Sequence, residues 1–256
     1  VHVQRGDRWS DLLRPTLDGC AIFREVVVLA ETASTQTLAK ERADEIGLVV
    51  TTLRQTAGRG RLGRAWADTA EDGLAVTFVA PDRTNEELAV ASAVAAARAV
   101  ERFLPFPVGI KWPNDLVVAG KKLAGILIER ARGAALIGIG INVSQRQFPD
   151  DLKTATSVAL LGGHADRVDM LAALVAECDR AISGDGSMIA EYAARDALRG
   201  SVATFDVSGP HGPESVTGEV LHVDPCRGLV VRTATGDREL PAATTSVRSW
   251  AGRAAR

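Results

Sequence analysis

The stretch "VGIKWPNDLVVAGKKLAGILIERARGAALIGIGINV", residues 108–143, decides the fold. Its aliphatic runs are too short and too closely spaced for helices, and the dipeptides Ala119-Gly120 and Arg132-Gly133 between them suit tight turns. It reads as a meander of short antiparallel strands. Pro113 has no N–H to give to a ladder, so a turn or bulge is expected where it stands, with polar side chains presented at a strand end.

Working outward, "EVVVLA" at 25–30 predicts a buried strand, and Ser34 or Thr35 can cap a helix that Gly47 closes. Two more strands follow, "LVVTTL" and "GLAVTFVA", the second ending before Pro81. Asn85 is the expected cap of a long helix of small apolar residues ended by Pro105 and Pro107. Two further helices are expected near 167–183 and 187–198. The sum is an α+β domain with a mostly antiparallel mixed sheet. From Gly200 alternating valines and turns predict a small β-barrel of about five strands. The expected division is therefore 1–199 and 200–256.

A chain of 256 residues with 46% apolar content is long enough for a full core, and its net charge of −2 lacks the basic balance of a general nucleic-acid binder. Positive charge is local instead. Cys20, Cys178 and Cys226 are far apart and odd in number, which argues against a disulfide framework or a zinc site and for a reducing cytoplasm. The apolar segments fall short of the roughly eighteen residues of a membrane span, and the polar start does not read as a signal peptide.

Charge concentrates in "RQTAGRGRLGRAW", residues 54–66, which has four arginines, three glycines and no acid. Arginine supplies planar forked donors to phosphate or carboxylate, and glycine removes the side chain that would keep the anion away. Anchored between two apolar strands, with Trp66 able to stack on a base, the loop is a candidate anion site rather than a solvated basic loop. In "KWPNDLVVAGKKLAGIL", Lys111, Asn114 and Asp115 flank Pro113. Lys121 reads as a hairpin-tip charge, whereas Lys122 opens an apolar strand and can send its ammonium group into the pocket of the arginines.

These two segments resemble the signature motifs of the biotin-protein ligases, and "STQTLAKE", "GLAVTFVA" and "GIGINV" extend the likeness over nearly the whole chain. The resemblance implies a catalytic domain like those of class II synthetases followed by an SH3-like barrel. It implies a two-step reaction: biotin attacks ATP to give biotinyl-5′-AMP, and a lysine of a biotin carboxyl carrier protein domain then displaces AMP. By the same analogy Arg59, Arg61 and Lys122 offset the repulsion between the two anions, Arg64 holds the pyrophosphate, and Mg2+ shares the charge through ligands the sequence does not identify. Biotin falls to Ser34, Thr35, Gln36, Gln55, Gly60 and Gly125 besides those cations. The nucleotide falls to Trp66, Lys111, Asn114, Asp115 and Asn142 with Arg61 and Arg64.

Two departures stand out. Gln36 follows the Ser-Thr pair where the family usually has Asn. Fewer than about thirty residues precede the first strand, too few for the helix-turn-helix that some relatives carry, so the expectation is a ligase that binds neither DNA nor membrane, a monomer or weak homodimer. Two rivals are a lipoate-protein ligase, expected to show a different glycine-rich motif, and an RNA-binding module, which the 4% aromatic content disfavours.

Overall fold

The computed structural model describes residues 5–66, 72–184, 188–209, 212–225 and 227–250. It opens with a helix the sequence reading missed, α1 (Arg5–Asp18), which buries Leu13 and Leu17. Strand β1 (Glu25–Thr32) follows, joined to the helical layer by the Asp179 carboxylate, which accepts from the N–H groups of Ala21, Ile22 and Phe23. Helix α2 (Thr35–Glu41) ends before the expected Gly47. Gly47 instead turns the chain at φ 99° into β2 (Leu48–Gln55), where an added Cβ would stand 2.5 Å from the Ile22 carbonyl oxygen.

A two-residue hairpin, β3 (Gly58–Arg59) and β4 (Ala65–Trp66), precedes β5 (Gly73–Pro81). Helix α3 (Asn85–Glu101) is capped one residue earlier than expected, by Thr84 in a reciprocal box with Glu87. The meander is as its sequence indicates: β6 (Gly109–Lys111), β7 (Asp115–Val118), β8 (Lys121–Ala131) and β9 (Ala134–Asn142). Both predicted turns hold two successive residues at positive φ, 48° and 77° at Ala119-Gly120 and 47° and 78° at Arg132-Gly133, the geometry that matches strand twist in a hairpin. Helices α4 (Arg167–Ser183) and α5 (Ile189–Arg195) complete this part. The second is shorter than expected, and its predicted first residue lies outside the described residues, as does Cys226.

The seven-stranded sheet runs β1-β2-β5-β9-β8-β7-β6, antiparallel throughout except for the parallel pair β1–β2. Period-two alternation sorts its two faces. Val49, Phe78, Ile137 and Ile139 join the core under α1, α3 and α4, whereas Leu48, Val50, Val79 and Leu136 pack with Ala39 and Ala43 on the α2 side. The alanine-rich α3, buried along Val90–Ala97, lets backbones approach closely on the first face. The second face, only partly covered by α2, carries the site.

Beyond it, β10 (Val202–Gly209), β11 (Gly212–Asp224), β12 (Gly228–Thr233), β13 (Gly236–Pro241) and β14 (Thr245–Trp250) form an antiparallel sheet in the order β13-β12-β11-β10-β14. The five expected strands are present. Among the described residues no ladder joins the outer two, β13 and β14, into a closed barrel.

Candidate active site

The arginine loop is an ordered hairpin. Gly58 pairs with Trp66 and Arg59 with Ala65, the Gly60 N–H donates to the Arg64 carbonyl at 2.7 Å, and a single 3-10 turn, Arg61–Gly63, closes the tip with Leu62 and Gly63 at positive φ. Gly58 is required by contact: a Cβ there would stand 2.5 Å from Gln55 Nε2 and 2.6 Å from the Trp66 carbonyl oxygen.

Beneath the hairpin lies a cavity of about 280 Å³, and its floor is made of missing side chains. Register places Thr77 opposite Gly138 and Gly138 opposite Leu127; the next row runs Ala75, Gly140, Gly125, Asp115. Into the space the glycines leave come groups from other elements. The Trp66 indole lies over Gly140, where an added Cβ would be 2.4 Å from Cε2, and reaches Gly125 at 3.0 Å. The Gln36 carboxamide lies over Gly138, with Oε1 2.6 Å from the corresponding position.

The buried end of the cavity is polar and uncharged. Gln55 Oε1 accepts from the Thr35 N–H at 2.9 Å and from the Thr35 hydroxyl at 3.3 Å. The Thr77 hydroxyl lies 3.0 Å from Thr35 Oγ1 and 3.1 Å from Gln36 Oε1, and its single proton serves both acceptors. Gln36 Nε2 donates to the Leu136 carbonyl at 3.1 Å. Ser34 stands at the N-terminal boundary of α2, yet its hydroxyl makes no cap bond, and its buried oxygen has no hydrogen-bond partner. A buried hydroxyl on a cavity wall with no partner is a group set for a ligand.

Cations gather at the open end. Lys122 Nζ is 2.7 Å from one Asp115 oxygen and Lys111 Nζ is 3.9 Å from the other. The Lys122 ammonium also lies 5.4 Å from the Trp66 ring centre, and Lys111 lies 5.8 Å from that of Trp250. Burial pushes Lys111 below the ordinary lysine range, with Lys122 and Arg64 adding to the effect and Asp115 opposing it. Burial likewise lowers Arg61, against the pull of Asp115. Arg59 is turned to Glu129 on β8 at 3.0 Å. Ser246 and Val247 of β14 supply part of the wall, so the second sheet helps to enclose the cavity.

Ser34, Thr35, Gln36, Gln55, Arg59, Gly60, Arg61, Arg64, Trp66, Lys111, Asn114, Asp115, Lys122 and Gly125 all line this one cavity. Asn142 does not join them. Its amide donates to the Thr156 carbonyl at 2.9 Å and its oxygen accepts from Gln145, so it braces the loop after β9. Asn114 is also partly committed, donating to the Ile126 carbonyl at 2.9 Å. Sequence reasoning missed Thr77, Gly138 and Gly140. The signals were a lone hydroxyl residue inside "LAVTFVA" and two glycines spaced by two inside an otherwise β-branched strand.

Residues 28–145 match the model of the biotin/lipoate A/B protein ligase family. The biotin--[acetyl-CoA-carboxylase] ligase of Mycobacterium tuberculosis is 34% identical, over 78% of this chain and 85% of that one. The chain belongs to the biotin protein ligase family. A biotin protein ligase of Aquifex aeolicus, solved in complex with biotin and ATP, superposes with a TM-score of 0.76 at 28% identity, covering 88% of this ligase and 99% of that chain. The bifunctional ligase/repressor of Bacillus subtilis is 39% identical over 53% of this chain, which spans about half that relative's length (46%). In this biotin ligase Arg59, Arg61 and Arg64 line one cavity of small-ligand size, not the extended basic stripe an RNA module would need.

Proposed function

We propose that this ligase joins biotin to the α-phosphate of ATP and passes the biotinyl group to a lysine of a biotin carboxyl carrier protein domain. One observation carries the reading: a single cavity has buried neutral hydrogen-bonding groups at one end and at least three cations around one carboxylate at the other. A cyclic urea offers two N–H donors and one carbonyl acceptor, which Ser34, Thr35 and Gln55 complement in a dry pocket. The carboxylate and the nucleotide then meet among Arg61, Arg64, Lys111 and Lys122.

In the first step a biotin carboxylate oxygen attacks the α-phosphorus, and the bond to the bridging oxygen of pyrophosphate breaks. Lys122 and Arg61 neutralise the charge that builds on the phosphoryl oxygens, already in place and half desolvated. Arg64 takes the departing pyrophosphate, and Arg59 exchanges Glu129 for the ligand. In the second step the carrier lysine amine attacks the acyl carbon and AMP leaves. Asp115 is the one carboxylate lining the cavity among the described residues, where no group of three or more His, Cys, Asp or Glu is present. That donor set fits Mg2+, which takes one or two carboxylates together with substrate phosphates, and Asp115 is the residue that would share in holding it. When bound, the ion supplies charge neutralisation on the phosphates. The 1–199 and 200–256 division is kept as the domain reading, and a cytoplasmic setting is kept with it, supported by the free thiols of Cys20 and Cys178 among the described residues. Among the described residues no helix is long and apolar enough to cross a membrane.

Incubation with biotin, ATP and Mg2+ should yield biotinyl-5′-AMP and pyrophosphate by mass spectrometry, and addition of a carrier domain should move the mass of biotin onto one lysine. Lipoate run in parallel should give no adenylate. Product from lipoate and none from biotin would overturn the assignment.

A further inference from the structure

Resting on the biotin reading, we propose that Gln36 is the specificity-determining end stop of the acid pocket, and that it works as a matched pair with Gly138. Gln36 is 3% exposed and lines the cavity. Both ends of its carboxamide are fixed, Nε2 on the Leu136 carbonyl and Oε1 under the Thr77 hydroxyl. An alanine Cβ at position 138 would stand 2.6 Å from Oε1 and 3.4 Å from Cδ. A long flexible side chain would swing aside from such a contact at little cost. This one would have to give up two buried hydrogen bonds to do so.

The neighbouring inward glycine is filled differently. Over Gly140 lies Trp66, half-buried, its side chain in a cation–π contact with Lys122. Of the two groups that fill the glycine floor, then, Gln36 is the rigid one and sets how deep an acid can sit. Shortening it by one methylene to Asn removes the stop and loosens the demand for glycine at 138. A hydrophobic or mixed pocket discriminates about 10–200-fold per methylene, which is the range available to such a stop.

The test is a double-substitution cycle read by calorimetric titration of biotin without ATP, with thermal unfolding as a check that each variant is folded. G138A should weaken biotin binding more than tenfold in the natural background and at least threefold less in the Q36N background. In parallel, the two biotin isomers methylated on one ureido nitrogen should be discriminated against by the natural protein, and Q36N should narrow that ratio at least threefold for one of them. Independent effects of the two substitutions, together with unchanged ratios for both isomers, would refute the end stop. If G138A does not fold, the methylated isomers alone decide. A natural protein that binds no biotin at all would instead bring down the biotin reading, a separate outcome.

Discussion

Lys122→Ala separates the chemistry of the site from its stability. The ammonium group makes one ion pair, at 2.7 Å to Asp115, with its own side chain 38% exposed. Its loss does not strand the carboxylate, because Lys111 remains 3.9 Å from the second oxygen. With the lysine side partly exposed and Asp115 still facing Lys111, the loss should be about 1 kcal/mol, so the melting temperature should fall by a few degrees at most. The rate is another matter. A preorganised cation facing a charge that develops in the transition state contributes about 3 kcal/mol, or roughly a hundredfold in rate. Pyrophosphate release followed in single turnover should therefore slow by about two orders of magnitude, while the folded fraction stays unchanged. Lys121→Ala, on the exposed side of the same hairpin, should leave both quantities alone. Adenylate synthesis by Lys122→Ala within threefold of the natural rate would show that the ammonium group is not where the reasoning puts it.

Gly140→Val should displace the Trp66 ring, since even a Cβ would come within 2.4 Å of it; the expected result is a marked rise in KM for ATP, and an unchanged KM would remove Trp66 from the nucleotide end. Glu129→Gln frees Arg59 from a partly exposed pair worth about 1 kcal/mol or less, so adenylate dissociation should slow by no more than about fivefold. Protease cleavage between Arg59 and Arg64, compared with and without biotin and ATP, tests the same loop, and equal cutting would mean that no ligand closes it. Lys111 is depressed by burial, so between its folded pKa and the ordinary lysine value the unfolded chain binds more protons and stability rises with pH. Lys111→Met should abolish that rise and add stability at neutral pH; a pH profile of thermal unfolding identical to the natural one would count against a buried charged Lys111.

The meander was legible because turn chemistry and apolar runs agree at every step: Ala119-Gly120 and Arg132-Gly133 do in space what their composition indicates. The site was legible where charge is concentrated, in the hairpin arginines and around Lys122. Long-range conditions were not. Helix α1 hides behind a polar opening with Pro15 inside it, and what holds it is long-range: Leu13 and Leu17 pack on the core, and Trp9 lies under Arg167. Helix α2 ends at Glu41, and Gly47 is held instead by its N–H to the Val79 carbonyl, a partner thirty-two positions away that local propensity cannot see. Asn142 left the nucleotide role its chemistry suggested, and Thr77, which the sequence singled out for nothing, joined the cavity wall, because strand phase aims one at the loop after β9 and the other at the cavity.

The cavity wall draws on Ser34 near one end of the chain and on Ser246 and Val247 more than two hundred positions later. During synthesis the chain emerges in order, at about 5–20 residues per second, so the large sheet can form while its cavity still lacks part of its wall. Ligand cannot then assist early folding in full, and competence arrives late and all at once. Nascent chains arrested before Ser246 should hold biotinyl-5′-AMP more weakly than the released protein, even where their larger sheet resists protease equally well.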